Sequence, residues 1–336
     1  MKKAKLLSIP PLVLVICALL LFLWWKSVLN PANPKDSSQH VFLITKGQSV
    51  AKIAANLEKE GIIKNGFAFR LYTKFTNTDK SIKAGEYKLS PNLALDKLVS
   101  TLLKGPSLLW VTVPEGLRKE EVPARFIKAL EIKPEVQQKF AADFLEAAKD
   151  FEGMLFPETY LFPKDVSASK VVTTMKNTFD TKFTDQMKTD AAKAGMDINE
   201  VLTLASIIER ETVTDAERPV VAGILLKRME IGMPLQTDAT LQYIVANNSC
   251  KSKSVNDCSW WEVPLGGDRT LRSPYNTYTN QGLPPSPIAS PGLVSIKAVI
   301  YPESSDYLYY IHDNDGKIRY GKTLDEHNSN VQKYLR

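Results

Sequence analysis

Two carboxylates interrupt an apolar helix pattern near the middle of this 336-residue chain. The segment LASIIERET begins at Leu204 and places Glu209 and Glu211 where the preceding residues predict a buried face. At about 100° per residue, Glu209 falls inside the apolar arc and Glu211 on its other flank, whereas Arg210 points the opposite way, to water. A carboxyl group desolvated in this way has a raised pKa and can donate a proton near neutral pH.

Donation of that proton to a leaving oxygen is the acid step of glycoside cleavage. The alternative is a structural glutamate near the end of a buried helix, ion-paired with Arg218 or Arg228. The pattern taken alone leaves both interpretations open.

The elements that would position these carboxylates predict a mixed α+β fold over residues 107–336. The helix that carries them is expected to begin at Asp197, because Asp197 and Glu200 have the spacing of a capping box. A helix is predicted over Ser169–Ala194. Near the C-terminus, an Asn-Asp-Gly turn at 314–316 separates alternating apolar residues and predicts a hairpin.

A smaller α+β module is predicted over residues 41–106. Its opening, ITKGQSVAKIAANL, resembles that of a LysM module, a strand–helix unit that binds the N-acetyl sugars of cell-wall glycans. The alternative is a plain α+β spacer domain. Residues 28–40 are rich in Pro, Asn and Ser, which is typical of a linker.

The N-terminal segment predicts a membrane anchor within residues 1–27. Leu6–Trp25 comprises twenty residues without a charge, and at about 1.5 Å per residue such a helix spans a hydrocarbon core of roughly 30 Å. Three lysines precede the segment and only Lys26 directly follows it, which places the N-terminus in the cytoplasm. A cleaved signal peptide is the alternative, although Trp24 and Trp25 do not suit a small-residue cleavage site.

Composition excludes several other classes of protein. Hydrophobic residues make up 44% and charged residues 24%, as in an ordinary globular protein. The net charge of +6 includes no basic patch interleaved with aromatic residues, which argues against nucleic acid as a partner. No G-x-S-x-G motif is present, and the histidines lie in polar, terminal or hairpin contexts that favour a surface role.

The cysteines and histidines do not predict a metal site. His40, His312 and His327 cannot be combined with the cysteines into a standard ligand spacing. Cys250 and Cys258 bracket a polar loop, and outside the cytoplasm they could form either a disulfide or two free thiols.

Several motifs in order give a more specific signal. From about Val41 to the C-terminus the chain resembles the endolytic murein transglycosylase family, also called YceG-like. The resemblance rests on the segments VPEG, FEGMLFPETY, LASIIERET, LQTDATLQY, SPYNTYTNQGLPPSPIASPG and HNSNVQKYL. It implies a lyase, without a cofactor, that cuts the β-1,4 bond between N-acetylmuramic acid and N-acetylglucosamine inside a peptidoglycan strand and leaves a 1,6-anhydro end. The family's catalytic glutamate falls on Glu209.

The remaining motifs are candidates for substrate binding. In the family's loops, polar and aromatic side chains would contact sugar hydroxyl and acetamido groups. The alternatives are a capped turn before Ala239 and a loop packed by its own tyrosines and prolines. The candidate residues are Gln236, Thr237, Asp238, Tyr275, Asn276, Thr277, Tyr278, Glu158, Tyr160 and Glu211, and Glu158 stands where the family often has aspartate.

The sequence is compatible with three functions. The lyase needs one acid/base glutamate, because the muramyl 6-hydroxyl of the substrate is the nucleophile. A muramidase would need a second carboxylate, with Asp238 or Glu211 as candidates, and a non-enzymatic scaffold would only bind peptidoglycan. The resemblance also implies a role in ending glycan elongation beside penicillin-binding synthases. The predicted anchor would place the protein in a bacterial inner membrane, with the catalytic domain in the periplasm.

Overall fold

The structure, a computed structural model, describes residues 11–250 and 258–335. The chain divides into two compact units. Unit 1 comprises Met1–Trp110 and Leu161–Lys164, and unit 2 comprises Val111–Tyr160 and Asp165–Arg336. The predicted mixed α+β class is confirmed.

Unit 1 has one hydrophobic core between its helices and an antiparallel strand pair. β1 (His40–Ile44) pairs with β2 (Gly85–Leu89) in a register that sets His40 opposite Leu89. Leu57 and Leu98 are among the fully buried side chains. The Ser49 hydroxyl accepts a hydrogen bond from the Lys52 N–H and caps the first helix after β1. The elements are α1 (Pro11–Leu29), β1 (His40–Ile44), α2 (Val50–Lys59), α3 (Gly66–Phe75), β2 (Gly85–Leu89) and α4 (Leu95–Lys104).

The predicted membrane anchor is only partly described, because residues 6–10 lie outside the described ranges. Within residues 11–250 and 258–335, no helix meets the length and apolarity that a membrane crossing requires.

Two further strands, Leu108–Val113 (β3) and Glu158–Pro163 (β4), extend the sheet, whose order is β1–β2–β3–β4. The division between the units falls within both of these strands.

Unit 2 is mainly helical and is built around the helix Ile198–Glu211 (α9). Its elements are α5 (Val122–Ala129), α6 (Pro134–Ala147), α7 (Ala168–Lys182), α8 (Asp185–Lys193), α9 (Ile198–Glu211), α10 (Arg218–Glu230), α11 (Asp238–Ser249), α12 (Leu293–Ile300), β5 (Tyr309–His312), β6 (Ile318–Gly321) and α13 (Leu324–Tyr334). The helix predicted over Ser169–Ala194 is in fact two helices. The Thr184 hydroxyl accepts a hydrogen bond from the Met187 N–H and starts a second helix.

α9 is the central helix of this unit. The predicted capping box is present, since the Glu200 carboxylate accepts from the Asp197 N–H at 2.9 Å and the Asp197 carboxylate from the Glu200 N–H at 2.8 Å. Every residue from 201 to 208 is buried, so the helix has no polar face over this length. Arg210 does not point to water as expected, because its guanidinium lies 3.9 Å from the centre of the Trp261 ring.

The predicted C-terminal hairpin is confirmed. β5 and β6 are antiparallel, with Tyr310 opposite Tyr320, and Gly316 takes the positive φ of 76° that the turn requires. Cys250 and Cys258, which the sequence left open, form a disulfide with 5.6 Å between their Cα atoms. The loop between them, residues 251–257, lies outside the described residues.

Candidate active site

A cleft of about 520 Å³ opens beside the C-terminal end of α9. Its walls combine carboxylates, cations and aromatic rings, which is the mixture that binds sugars through stacking and directed hydrogen bonds. The residues that line it include Glu211, Asp238, Gln236, Arg228, Arg269, Tyr278, Tyr309, Tyr310, His312 and His327.

Glu211 is the acid at the inner wall of this cleft. Its Oε1 accepts a hydrogen bond from the Ala239 N–H at 3.3 Å, in the first turn of α11, and its Oε2 accepts from the Tyr310 hydroxyl at 3.0 Å. Burial raises the pKa of Glu211, and the two hydrogen bonds offset only part of that effect. A carboxyl in this environment can be protonated at a pH where an exposed glutamate is ionised.

Glu209, the expected catalytic residue, lies on another side of α9. Its Oε1 is 2.8 Å from Nη2 of Arg218, and its Oε2 accepts from the Gly292 N–H and the Ser295 hydroxyl, both at 2.9 Å. Its side chain is only 5% exposed. These are the contacts of the alternative interpretation, a structural glutamate paired with Arg218.

Helix geometry explains why only one of the two carboxylates reaches the cleft. Residues two positions apart on an α-helix point about 200° away from each other. Glu211 faces the cleft, and Glu209 faces α10 and α12.

The segment Gln236–Thr237–Asp238 alternates between the cleft and the core. Gln236 and Asp238 line the cleft, whereas Thr237 is buried. Thr237 occupies the N-cap position of α11, but its side chain makes no capping bond. It lies instead 3.1 Å from the Thr277 hydroxyl, which also accepts from the Thr237 N–H at 3.1 Å. The two threonines therefore hold the segment in place without facing the cleft.

Tyr278 is the one residue of the predicted Tyr-Asn-Thr-Tyr cluster that lines the cleft among the described residues. Its hydroxyl donates to Asp238 Oδ1 at 2.6 Å. Asn276 is fully buried and shapes the loop, because its side chain donates to the carbonyls of Arg269 and Leu271. Tyr275 packs at 4.8 Å from the Tyr243 ring.

The two candidates on β4 are not part of this cleft. Glu158 is exposed and lies 3.3 Å from Nζ of Lys182. Tyr160 is buried, its hydroxyl donates to the Phe156 carbonyl at 2.6 Å, and burial raises its pKa to about 12. Glu158 therefore belongs to a surface ion pair and Tyr160 to the protein interior.

The sequence interpretation missed the basic and aromatic wall of the cleft. Arg228 is buried, and it donates to the carbonyls of Leu308 and Leu235, both at 2.6 Å. Its guanidinium lies 5.2 Å from the Tyr309 ring centre, and burial lowers its pKa. Arg228 lies near the end of its helix, shortly before Gly232, and the neighbouring sequence does not indicate that it contacts Leu308, 80 residues later.

Two histidines expected at the surface also line the cleft. His312 Nε2 lies 3.2 Å from Glu217 Oε2, and the His327 ring is 5.3 Å from that of Tyr309. Burial and the charge of Arg228 lower the pKa of His327. The alternation in YLYYIH could have indicated that Tyr310 and His312 share one face of β5.

Within the described residues, no group of three His, Cys, Asp or Glu side chains is arranged to hold a metal ion.

The chain is similar to known proteins over most of its length. The sequence model of the YceG-like family matches residues 42–333. A Bacillus subtilis (strain 168) protein named endolytic murein transglycosylase is 33% identical, covering 94% of this chain and 90% of that protein. A Streptococcus pneumoniae (strain D39) protein of the same name is 29% identical over 93% of this chain, which spans only 62% of that relative.

A solved structure agrees with the sequence comparison. The crystal structure of a YceG-like protein from Listeria monocytogenes superposes with a TM-score of 0.57 at 30% identity, covering 87% of this chain and 98% of that one. The family match extends over far more than half of the residues. The chain therefore belongs to the YceG-like family.

Proposed function

We propose that this protein is a peptidoglycan lytic transglycosylase, a lyase that cuts the MurNAc-β-1,4-GlcNAc bond inside glycan strands and leaves 1,6-anhydro ends. Two relatives named endolytic murein transglycosylase support this activity. The observation that carries it is the position of Glu211, a carboxyl with a raised pKa at the wall of a cleft lined by aromatic and basic side chains.

The acid/base role belongs to Glu211 in this proposal, in place of Glu209. Protonated Glu211 donates its proton to the glycosidic oxygen as the C1–O bond breaks. The muramyl 6-hydroxyl oxygen then bonds to C1, and its proton passes to the Glu211 carboxylate. The glutamate returns to its starting state and no water is consumed, so a single carboxyl is sufficient.

The hydrogen bonds at Glu211 suit both halves of this cycle. The Ala239 N–H and the Tyr310 hydroxyl stabilise the carboxylate after it has given up its proton. Burial favours the protonated form before the reaction. The balance of these effects keeps both protonation states accessible.

Substrate contacts come from the side chains around the acid. Gln236 and the Asp238–Tyr278 pair supply donors and acceptors for hydroxyl and acetamido groups. Tyr309 supplies a ring face for sugar stacking and Arg228 a fixed cation behind it.

A muramidase is the second candidate, because Asp238 shares the cleft with Glu211. A hydrolase would use a second carboxylate as its base or nucleophile. Asp238 accepts a hydrogen bond from Tyr278 at 2.6 Å, which fixes the orientation of its carboxylate. The same orientation also suits a substrate-binding role in the lyase.

The domain and membrane assignments complete the proposal. Residues 1–27 form a single-pass anchor in the bacterial inner membrane with a cytoplasmic N-terminus, and residues 28–40 link it to a LysM-like module at 41–106 and a periplasmic catalytic domain at 107–336. In α1, apolar side chains such as Leu19 and Leu21 are 56% and 64% exposed, which suits a lipid surrounding. An anchored enzyme would reach nascent strands near the bilayer, beside penicillin-binding synthases.

Product analysis with the full-length protein in detergent tests the activity. Uncrosslinked glycan strands are incubated with wild type, Glu211→Gln and Glu209→Gln, and the product ends are identified by mass spectrometry. Anhydromuramyl ends that disappear with Glu211→Gln support the proposal, and reducing ends would favour the muramidase. Strand binding without cleavage by wild type would favour a scaffold.

A further inference from the structure

A second cavity, of about 450 Å³, lies in the same unit and shares no lining residue with the catalytic cleft. It is bounded by α5, the first half of α6 and the segment after the Cys250–Cys258 disulfide. Its lining includes Glu121, Arg125, Lys128, Gln137 and Trp260. This aromatic segment follows a loop outside the motifs that identify the family, and the catalytic proposal gives it no role.

Two of the three charged side chains that line the cavity are basic, so its lining has a net positive charge. Arg125 and Lys128 are exposed and lie three residues apart on α5, so they share one face. Neither forms an ion pair within the part of the chain that the structure describes. Glu121, the third charged side chain, is held in place by two neutral donors, because its Oε2 accepts from Trp261 Nε1 at 2.9 Å and from the Arg118 N–H at 3.0 Å.

Trp260, the aromatic residue that lines the cavity, is packed against the buried Arg118. The Arg118 guanidinium is fully buried and lies 4.8 Å from the Trp260 ring centre and 4.1 Å from the Tyr243 ring centre. It also donates to the Tyr243 carbonyl and to the Asn247 side chain. Trp260 is therefore held in one orientation before any ligand arrives, which lowers the entropic cost of binding.

One helix connects this wall to the catalytic cleft. α11 begins at Asp238, which lines the cleft, and Asn247 of the same helix holds Arg118. Positions 238 and 247 are nine positions apart on α11, which corresponds to roughly 14 Å along the helix axis. An extended peptide of about four residues spans a similar distance, at about 3.4 Å per residue.

We propose that this second cavity binds the acidic peptide stem that peptidoglycan carries on its muramyl residues, while the glycan lies in the catalytic cleft. Arg125 and Lys128 pair with carboxylates of the stem, and the Trp260 face contacts its apolar side chains. The inference rests on the proposed function, because it takes the same substrate. The cavity thereby selects strands that still carry their peptides over strands that have lost them.

A comparison of two substrates tests this selection in the full-length protein. Uncrosslinked strands with intact stems and strands stripped of stems by an amidase are each cleaved by wild type and by Arg125→Gln/Lys128→Gln. The ratio of kcat/KM for intact strands to kcat/KM for stripped strands is expected to fall about five- to tenfold in the double variant, through KM, because two partly exposed charge pairs are lost. Lys170→Gln/Lys297→Gln, which removes two exposed lysines outside both cavities, should leave the ratio at its wild-type value.

An unchanged ratio in the Arg125/Lys128 variant would overturn the inference. If wild type cleaves neither strand, the proposed function fails. Titration calorimetry with a free acidic tetrapeptide of stem sequence then tests the peptide site independently of cleavage. Binding that the double variant loses supports the peptide site, and no binding to wild type overturns it. Binding of a polyol-phosphate polymer in place of the peptide would also overturn it and assign the cavity to anionic polymers.

Discussion

The two carboxylates at the end of α9 have opposite surroundings, although only Arg210 separates them. Glu211 meets two neutral donors and an open cleft. Glu209 meets a guanidinium, a backbone N–H and a hydroxyl, and its side chain is almost fully enclosed. The first arrangement leaves room for a substrate oxygen and a change of protonation. The second holds the carboxylate against a guanidinium, away from the cleft.

This difference suggests that Glu209 has a structural role and that Glu211, in the same helix turn, has the catalytic one. We call Glu209, Arg218, Gly292 and Ser295 the Arg218 cluster. It joins the end of α9 to the beginnings of α10 and α12, so it fixes the direction in which the last turn of α9 points. Glu211 lies in that same turn. The cluster is therefore expected to position the acid without touching the substrate.

The largest expected effect is the loss of activity when the Glu211 carboxyl is replaced by an amide, compared with the same replacement at Glu209. Glu211→Gln should lower kcat by about 10²- to 10⁴-fold, because an amide cannot act as a general acid. Glu209→Gln should keep most of the wild-type kcat, once the rate is corrected for the fraction of the variant that is folded. Anhydromuramyl ends counted by mass spectrometry measure both variants, with circular dichroism as the control for folding. Full activity of Glu211→Gln together with loss in a folded Glu209→Gln would return the acid role to Glu209.

Removal of the cation from the Arg218 cluster should mainly reduce stability. Arg218→Met leaves Glu209 buried without its charge partner, which should cost about 3–5 kcal/mol in the free energy of unfolding. The double variant Glu209→Gln/Arg218→Met should recover part of that loss, because no lone charge is then buried. Urea titration of the full-length protein measures both.

The exposed pair of Glu158 and Lys182 provides the matched control for that experiment. Its side chains are 45% and 41% exposed, so Lys182→Met should change the free energy of unfolding by less than about 1 kcal/mol. Equal losses in Arg218→Met and Lys182→Met would contradict a structural role for the buried pair.

A smaller effect is expected when the hydrogen bond to the acid is removed. The Tyr310 hydroxyl favours the ionised form of Glu211, so Tyr310→Phe should raise the pKa of that carboxyl further. Because the acid must be protonated, kcat/KM falls as pH rises through that pKa, and the alkaline limb of the profile should move to higher pH. The rate at the optimum should change less than about tenfold, since one hydrogen bond is lost.

A neighbouring tyrosine provides the comparison for the pH profile. Tyr320 lies opposite Tyr310 on β6 and packs on the Tyr307 ring at 5.0 Å. Tyr320→Phe removes a hydroxyl from the same hairpin without removing a contact of Glu211. A shift of the alkaline limb toward lower pH in Tyr310→Phe, or the same shift in both variants, would rule out the proposed effect of this hydrogen bond.

Local patterns were sufficient to predict several elements. The capping box of α9 and the turn at 314–316 depend on residues within a few positions of each other, and both are present as expected. Three of the predicted substrate-binding residues, Gln236, Asp238 and Tyr278, line one cleft, and their contact with substrate stays a prediction. The signal for these elements is contained in short stretches of sequence.

The choice between the two glutamates could not be made from the helix pattern. A helical wheel predicts that a side chain is buried, but it does not identify what buries it. Gly292 and Ser295 lie 83 and 86 residues after Glu209 in the chain. The same holds for Tyr310, whose bond to Glu211 spans 99 residues. Long-range contacts of this kind decide which carboxyl lines the cleft.

The smallest expected effect concerns backbone strain on the cleft side. Gln236 has a positive φ of 52°, which is unusual for a residue other than glycine, whereas no residue of the Arg218 cluster is among the positive-φ positions of the described chain. Gln236→Gly should therefore raise the free energy of unfolding by up to about 1 kcal/mol. It should also raise KM for glycan strands, because the amide in the cleft is lost. Gln236→Ala keeps the strain and removes the same amide, so its KM should rise equally without the gain in stability. Urea titration and strand-cleavage kinetics on both variants test this, and a Gln236→Gly variant no more stable than Gln236→Ala would show that the cleft wall stores no backbone strain at this position.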